Sequence, residues 1–133
     1  MSIPTIGGGQ QIGDGNTSEV NLYIQTVPIG AATSTATLTV AQLTSSVLVG
    51  NPTTSAASYT LPTVALLEAS LGNAKVGSSF VTRFVNIGTS SGVVTMVAGT
   101  GWTLVGKAAV AVTSGVTLVN VKTGAGTWTL YIV

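Results

Sequence analysis

The stretch SFVTRFVNI (Ser79–Ile87) decides the fold of this chain. Side chains of a β-strand alternate between its two faces. That alternation groups Phe80, Thr82 and Phe84 on one face, and Val81, Arg83 and Val85 on the other. Because both faces are mostly apolar, the stretch predicts a strand that is covered on both sides or that faces a subunit interface.

The sequence on either side of this stretch, from Thr35 onward, has the same β character. Val and Thr dominate, and turn residues interrupt them every eight to twelve positions, which is typical of an all-β sandwich. We therefore expect an antiparallel, jelly-roll-like β-sandwich over residues 35–133. The other predicted strands are Ser46–Val49, Ser58–Leu61, Val93–Ala98, Trp102–Val105, Ala108–Val112, Val116–Val121 and Thr127–Val133.

Two short helices are predicted within the sandwich. The first is Thr39–Leu43, with Thr39 as its N-cap. The second follows Thr63, which has a side chain suited to capping a helix N-terminus. Its apolar residues recur at helical spacing, and Gly72 is placed to take the left-handed conformation at its C-terminal end. We expect one face of this second helix to cover an open end or an open face of the sheets.

Residues 1–34 differ in character and predict an extended N-terminal arm. Three glycines at 7–9 precede a segment in which apolar and polar residues alternate, which is strand periodicity. Such a strand can be added to the edge of a partner's sheet or can pack on its own domain, and the pattern leaves both open. The residues expected to make the arm's contacts are Val20, Leu22, Tyr23, Ile24, Val27 and Ile29.

Charge is scarce in this sequence. Three acidic and four basic residues are spread over 133 positions, whereas about a quarter of the residues of an ordinary soluble domain are charged. A globule of this length exposes on the order of 6,400 Å². No apolar run reaches the ~18 residues of a spanning helix. We therefore expect a protein that hides much of its surface against copies of itself or a partner, not in a membrane.

The same composition argues against catalysis, cofactors and nucleic acid. The chain has no histidine and no cysteine, which removes the commonest general base and metal ligands. Nucleic-acid binding needs several basic side chains on one face, but those of this chain are scattered. We predict a non-enzymatic protein with no catalytic residue, metal or cofactor. The charged residues are Asp14, Glu19, Glu68, Lys75, Arg83, Lys107 and Lys122.

Two local patterns suggest other functions and are set aside. Gly101–Lys107 matches the spacing of a phosphate-binding loop, but Ala108 stands where the Ser or Thr that binds magnesium belongs. Trp102 and Trp128 could form a platform for stacking sugars. Two tryptophans in a small sandwich are more often anchors of a core or an interface.

The spacing of turn and packing signals resembles a known family over about residues 37–133. The matching segments are Leu38–Leu43, Val47–Gly50, Tyr59–Thr63, Gly77–Phe80, Val85–Gly88 and Ala98–Leu104. They resemble the capsid cement (decoration) proteins of tailed bacteriophages, and those of freshwater cyanophages most closely. The resemblance implies a trimeric β domain on the exterior of the virion capsid that bridges neighbouring major capsid proteins.

The expected function is accordingly that of a structural virion protein. It would bind the outer surface of a phage capsid and stabilise it, with the major capsid protein and further copies of itself, as a trimer, for partners. β-rich modules of this kind also occur in phage fibres. A fibre domain or a receptor- or glycan-binding module is therefore the alternative, and it would need an exposed aromatic side chain such as Trp102 or Tyr131.

Overall fold

Two β-sheets and two short helices form the part of the chain that the computed structural model describes, residues 29–133. The helices are α1 (Val40–Leu43) and α2 (Val64–Ser70). The strands are β1 (Ile29–Gly30), β2 (Ala36–Thr37), β3 (Val47–Gly50), β4 (Ala57–Thr60), β5 (Ser79–Asn86), β6 (Val94–Val97), β7 (Trp102–Gly106), β8 (Ala109–Val110), β9 (Ser114–Gly124) and β10 (Thr127–Ile132).

The first six strands alternate between the two sheets. Sheet A has the order β1-β3-β5-β9-β10-β7, and sheet B has the order β2-β4-β6-β8. β1, β3 and β5 are parallel neighbours in sheet A, and β2, β4 and β6 are parallel neighbours in sheet B. Successive turns of the chain therefore stack on one another. The later strands complete the sheets with antiparallel pairs, and β7 joins β10 in parallel.

The expectation of an all-β, two-sheet architecture with short helices is confirmed, but its antiparallel pairing is wrong. Among the described residues five of the eight strand pairings are parallel. A jelly roll consists of antiparallel Greek keys, so this strand order does not confirm that topology. Side chains alternate identically in both kinds of sheet. The direction of pairing depends instead on long crossovers, such as the one from β3 to β5 through β4 and α2.

The two helices begin where the sequence predicts them to begin. Thr39 and Gln42 form a reciprocal capping box at α1, and the Thr63 side chain accepts a hydrogen bond from the Leu66 N–H at α2. The prediction for Gly72 is wrong, because α2 ends at Ser70 with Leu71 as its C-cap at φ −110°, and Gly72 has no positive φ. The C-terminal end of α2 therefore needs no left-handed residue.

The core lies between the two sheets. Phe84 and Leu118 of sheet A and Tyr59 of sheet B are fully buried. The Tyr59 and Phe84 rings meet edge to face with centroids 6.1 Å apart, a favourable geometry for aromatic pairs. The Tyr59 hydroxyl donates a hydrogen bond to the Ala32 carbonyl. This contact joins the segment that follows β1 to the core.

A buried asparagine holds one end of the sandwich together. The Asn86 Nδ2 donates to the carbonyls of Gly92 (2.9 Å), Val110 (3.0 Å) and Ala111 (3.1 Å). Its Oδ1 accepts from the Gly88 N–H at 2.8 Å. Buried backbone polar groups need such partners. Asn86 thus supplies them for the loops that precede β6 and follow β8.

The described domain begins before residue 35, where the sequence analysis places the end of the arm. Ile29 and Gly30 pair with Leu48 and Val49 of β3, and the Ala31 N–H donates to the Val49 carbonyl at 2.7 Å. A two-residue strand carries too little periodicity to be recognised in sequence. Residues 29–34 therefore belong with the sandwich in this structure.

Candidate functional site

The outward face of sheet A is mostly apolar. The inward residues of its strands, such as Phe84, Leu118 and Leu130, are buried, so the residues that alternate with them face away from the core. We call this surface the outer face. It comprises Val47, Val49, Ser79, Val81, Arg83, Val85, Thr103, Val105, Thr117, Val119, Val121, Thr123, Thr129, Tyr131 and Val133.

A row of four side chains crosses the centre of the outer face. Val81 of β5 is opposite Val119 of β9, Val119 is opposite Tyr131 of β10, and Tyr131 is opposite Val105 of β7. Val81, Tyr131 and Val105 are 47%, 39% and 46% exposed. Neighbours across strands pack against one another. The row is therefore a continuous apolar strip that stays open to solvent in a single chain.

Arg83 is the one charged residue of the outer face. It is opposite Val47 of β3 on one side and Thr117 of β9 on the other. The charged residues of the described chain otherwise lie off this face. A partner that covers the outer face would therefore meet a broad apolar surface with a single positive charge.

The corresponding face of sheet B has the opposite character. Its inward residues include Tyr59 and Met96, which are buried. Most of its outward residues carry hydroxyl groups, among them Thr37, Ser58 and Thr95. An antiparallel or mixed sheet with one solvated face is expected to be polar on that face. Sheet B meets this expectation and sheet A does not, which makes the outer face of sheet A the candidate for an interaction surface.

The aromatic residues that could have bound sugars lie in the core. Trp102 and Trp128 are 7% and 1% exposed, and their rings pack with centroids 6.0 Å apart. The Trp102 Nε1–H donates to the Pro62 carbonyl at 2.7 Å. Neither indole offers a face to a ligand. Of the residues that the glycan-binding alternative requires, Tyr131 remains available.

An ion pair closes the end of the core that α2 covers. The Lys122 Nζ lies 2.6 Å from the Glu68 Oε1, and the Trp128 Nε1–H donates to the same oxygen at 3.2 Å. These two hydrogen bonds, that of Lys122 first, hold the pKa of Glu68 below its ordinary value. Since both partners of the carboxylate belong to the scaffold, the cluster has a structural role.

Residues 29–133 contain no cluster of three or more potential metal-binding side chains among Asp, Glu, His and Cys. The segment with phosphate-loop spacing forms β7, from Trp102 to Gly106, and is followed by β8, so it cannot wrap a phosphate. None of the described helices is long and apolar enough to cross a membrane.

Most of the predicted arm contacts cannot be compared with the structure. Val20, Leu22, Tyr23, Ile24 and Val27 lie outside the described residues. Ile29 is in β1, opposite Leu48 of β3. The other five contacts therefore stay predictions.

The outer face is the feature that sequence reasoning located only in part. The apolar outward residues of Ser79–Ile87 indicated an interface, but those of β9 and β10 were not connected to them. In β9, Val119 and Val121 alternate with inward-facing residues, and this alternation was the sequence signal for a second apolar outward row. Only the register between these strands shows that their outward valines are neighbours on one surface. Searches of protein-family models, of curated proteins and of solved structures found no match to this chain.

Proposed function

We propose that this protein is a structural component of a phage virion. It binds the outer surface of the capsid as a trimer and stabilises the shell by bridging neighbouring major capsid proteins. The observation that carries this proposal is the apolar outer face of sheet A, with Arg83 as its only charge. The choice of the major capsid protein as partner rests on the resemblance of residues 37–133 to cement proteins.

The size of the outer face suggests how such binding works. Five strands about 4.8 Å apart, each contributing about 20 Å of length, give a face of roughly 400 Å² in projection. A stable interface buries about 800 Å² on each partner. One outer face alone therefore makes a weak contact. Several copies held together on a repeating lattice reach a strong one, because linked contacts add through effective concentration.

The scarcity of charge fits the same function. Burying apolar surface contributes roughly 25 cal/mol per Å² before the cost of association, and burying an unpaired charge costs several kcal/mol. A protein whose surface is mostly covered in the assembled particle is thus expected to carry few charges. The four basic and three acidic residues of this chain agree with that expectation.

A co-sedimentation experiment tests the proposal. Purified protein is mixed with capsid shells that lack it, and binding and the disruption temperature of the shells are measured. Saturable binding with a higher disruption temperature is the expected result. A stable free oligomer that neither binds the shells nor raises their disruption temperature contradicts it.

The alternative of a fibre or glycan-binding module retains one supporting observation. Tyr131 is exposed and lies in the middle of the outer face, where a sugar ring could stack on it. Binding of the protein to an immobilised glycan that Tyr131→Ala abolishes, together with no binding to shells, would favour this alternative.

A further inference from the structure

Strand β5 extends beyond its neighbour β3, and part of its edge has no strand partner among the described residues. β3 pairs with residues Arg83–Asn86 of β5, whereas β5 begins at Ser79. On its other side β5 is paired with β9 along its whole length. The edge at Ser79 and Val81 therefore lies beside the position that β3 would occupy if it began earlier in the chain.

The hydrogen-bond pattern shows which way this edge points. The Arg83 N–H donates to the Ser46 carbonyl at 3.0 Å, on the β3 side, while the Ser78 carbonyl accepts from Lys122 of β9 at 2.9 Å. Backbone groups alternate in direction along a strand. The N–H and C=O groups of Ser79 and Val81 thus point to the β3 side, and no residue of the described chain pairs with them.

A groove lies along this unpaired edge. Its volume is ≈ 590 Å³, within the ~300–1,000 Å³ range of ligand-binding clefts. Phe80 and Leu71 supply accessible apolar lining, and most of the other lining side chains are small or carry hydroxyl groups. We call it the edge groove; its lining residues are Thr44, Ser46, Ser70, Leu71, Gly72, Asn73, Ala74, Ser78, Ser79, Phe80, Val81 and Trp128.

These features specify what the edge groove accepts. A free strand edge pairs with another extended segment. The lining contains no charged residue, so the occupant should be uncharged and apolar on one face. Residues 20–27 (VNLYIQTV) have no charge, and their apolar Val20, Leu22 and Ile24 alternate with polar or amphipathic side chains. This segment matches the groove in both respects.

The connection to β1 argues that the segment comes from a second copy. The covalent chain keeps Val27 within about 7 Å of Ile29, and Ile29 lies on the far side of β3 from β5. The C-terminal turn of α1 lies between β1 and the unpaired edge of β5, and it therefore separates the segment before β1 from the edge groove of the same chain. Gln42 Nε2 donates to the Gly30 carbonyl on one side, and the Leu43 carbonyl accepts from Thr82 Oγ1 on the other.

We propose that the edge groove of each copy receives residues 20–27 of a second copy as an added strand paired with β5. The inference rests on the proposed function and deepens it. The inference specifies the groove that binds residues 20–27 of the arm of a capsid-bound subunit. Neighbouring copies are then linked by main-chain hydrogen bonds, and the shell is held by linked subunits.

Disulfide crosslinking tests this proposal, because the chain has no cysteine of its own. A full-length variant with Val81→Cys is mixed with a second variant that has one cysteine in the arm. Val81 points to the outer face, so only arm residues with the same orientation approach it. Asn21→Cys, Tyr23→Cys and Gln25→Cys share that orientation, whereas Leu22→Cys and Ile24→Cys face the apolar lining.

The expected result is a covalent dimer whose yield is about tenfold higher for one of the odd-numbered arm positions than for either even-numbered position. Val105→Cys is the matched control, since Val105 is as exposed as Val81 and lies in the same row of the outer face, but on β7 at the other edge of sheet A. Equal yields with Val105→Cys, equal yields at odd and even positions, or no dimer at all would overturn the proposal.

The same variants separate this proposal from the proposed function. If crosslinking fails although the protein binds and stabilises shells, the strand exchange is wrong and the capsid function stands. If the dimer forms but shells are neither bound nor stabilised, the exchange stands and the capsid function is wrong. A double variant with both cysteines in one chain that crosslinks only within monomers would show that the segment occupies its own groove, and would also overturn the proposal.

Discussion

Val119 and Tyr131 are direct neighbours across β9 and β10, and both side chains point away from the core. Together with Val81 and Val105 they make an apolar strip on the outer face of sheet A. A pair of a branched aliphatic and an aromatic side chain stabilises a sheet by only about 0.2–1 kcal/mol. Because they lie at the centre of an exposed apolar surface, the proposed function assigns them to the contact with the capsid.

Tyr131→Lys is expected to weaken binding to capsid shells by at least about tenfold. A charge placed at the centre of an apolar contact must be desolvated without a partner, and 1.4 kcal/mol already corresponds to tenfold. The melting temperature of the free domain should change little, because Tyr131 is exposed. Thr95→Lys on the outward face of sheet B is the control. Co-sedimentation shows the difference, and equal losses in the two variants would refute the assignment of the outer face.

Asn86→Ala is expected to destabilise the domain by about 3 kcal/mol or more. The substitution leaves the carbonyls of Gly92, Val110 and Ala111 without the donor that now serves them, and each unsatisfied buried group costs about 1–3 kcal/mol. The melting temperature should fall by more than about 10 °C. Asn73→Ala, at an exposed position, provides the control. A thermal shift no larger than that of the control would contradict the role of Asn86.

Glu68→Gln is expected to destabilise the domain at neutral pH and to have less effect in acid. The pKa of Glu68 is lowered in the folded state from its ordinary value of 4.5, so the stabilisation is fully present above pH 4.5 and is lost as the pH falls through the lowered pKa. Gln cannot ionise, so the free-energy difference between the two proteins should shrink across that range.

Urea unfolding followed by tryptophan fluorescence between pH 7 and pH 3 measures this difference. Contributions of the other carboxylates, Asp14 and Glu19, cancel because both proteins contain them. A difference that stays constant, or grows as the pH falls, would mean that the ionised carboxylate of Glu68 does not stabilise the fold.

Deletion of residues 1–27 is expected to leave a folded domain that no longer stabilises shells. The described core, from Leu38 to Ile132, lies entirely after the deleted part, and β1 is retained. The melting temperature of the free domain and the disruption temperature of decorated shells are the two measurements. If the shortened protein raises the disruption temperature as much as the full chain does, the arm has no part in the function.

The strand and helix positions could be predicted from local sequence because their causes are local. Thr39 and Thr63 cap their helices with their own side chains, and the alternation in Ser79–Ile87 matches β5. The prediction of a left-handed Gly72 is wrong because the seven-residue helix α2 ends at Ser70, and its C-cap Leu71 has an ordinary negative φ.

Strand direction and the extent of the domain depended on residues far apart in the chain. The parallel pairing of β3 with β5 is made across α2 and β4, and no pattern within either strand encodes it. β1 was missed because its two residues become a strand only through Leu48 and Val49.

The sequence by itself determined the kind of protein this is: a β-rich domain with two capped helices, few charges and an N-terminal segment of strand periodicity. Composition and side-chain alternation are enough for that, because each residue's preference for strand, turn or surface is local. Only the tertiary structure decided where the association surfaces lie. Two features arise from pairing between distant strands: the register that aligns Val81 with Val119 and Tyr131, and the late start of β3, which leaves the edge of β5 free. Each depends on which backbone groups find partners when the sheets assemble.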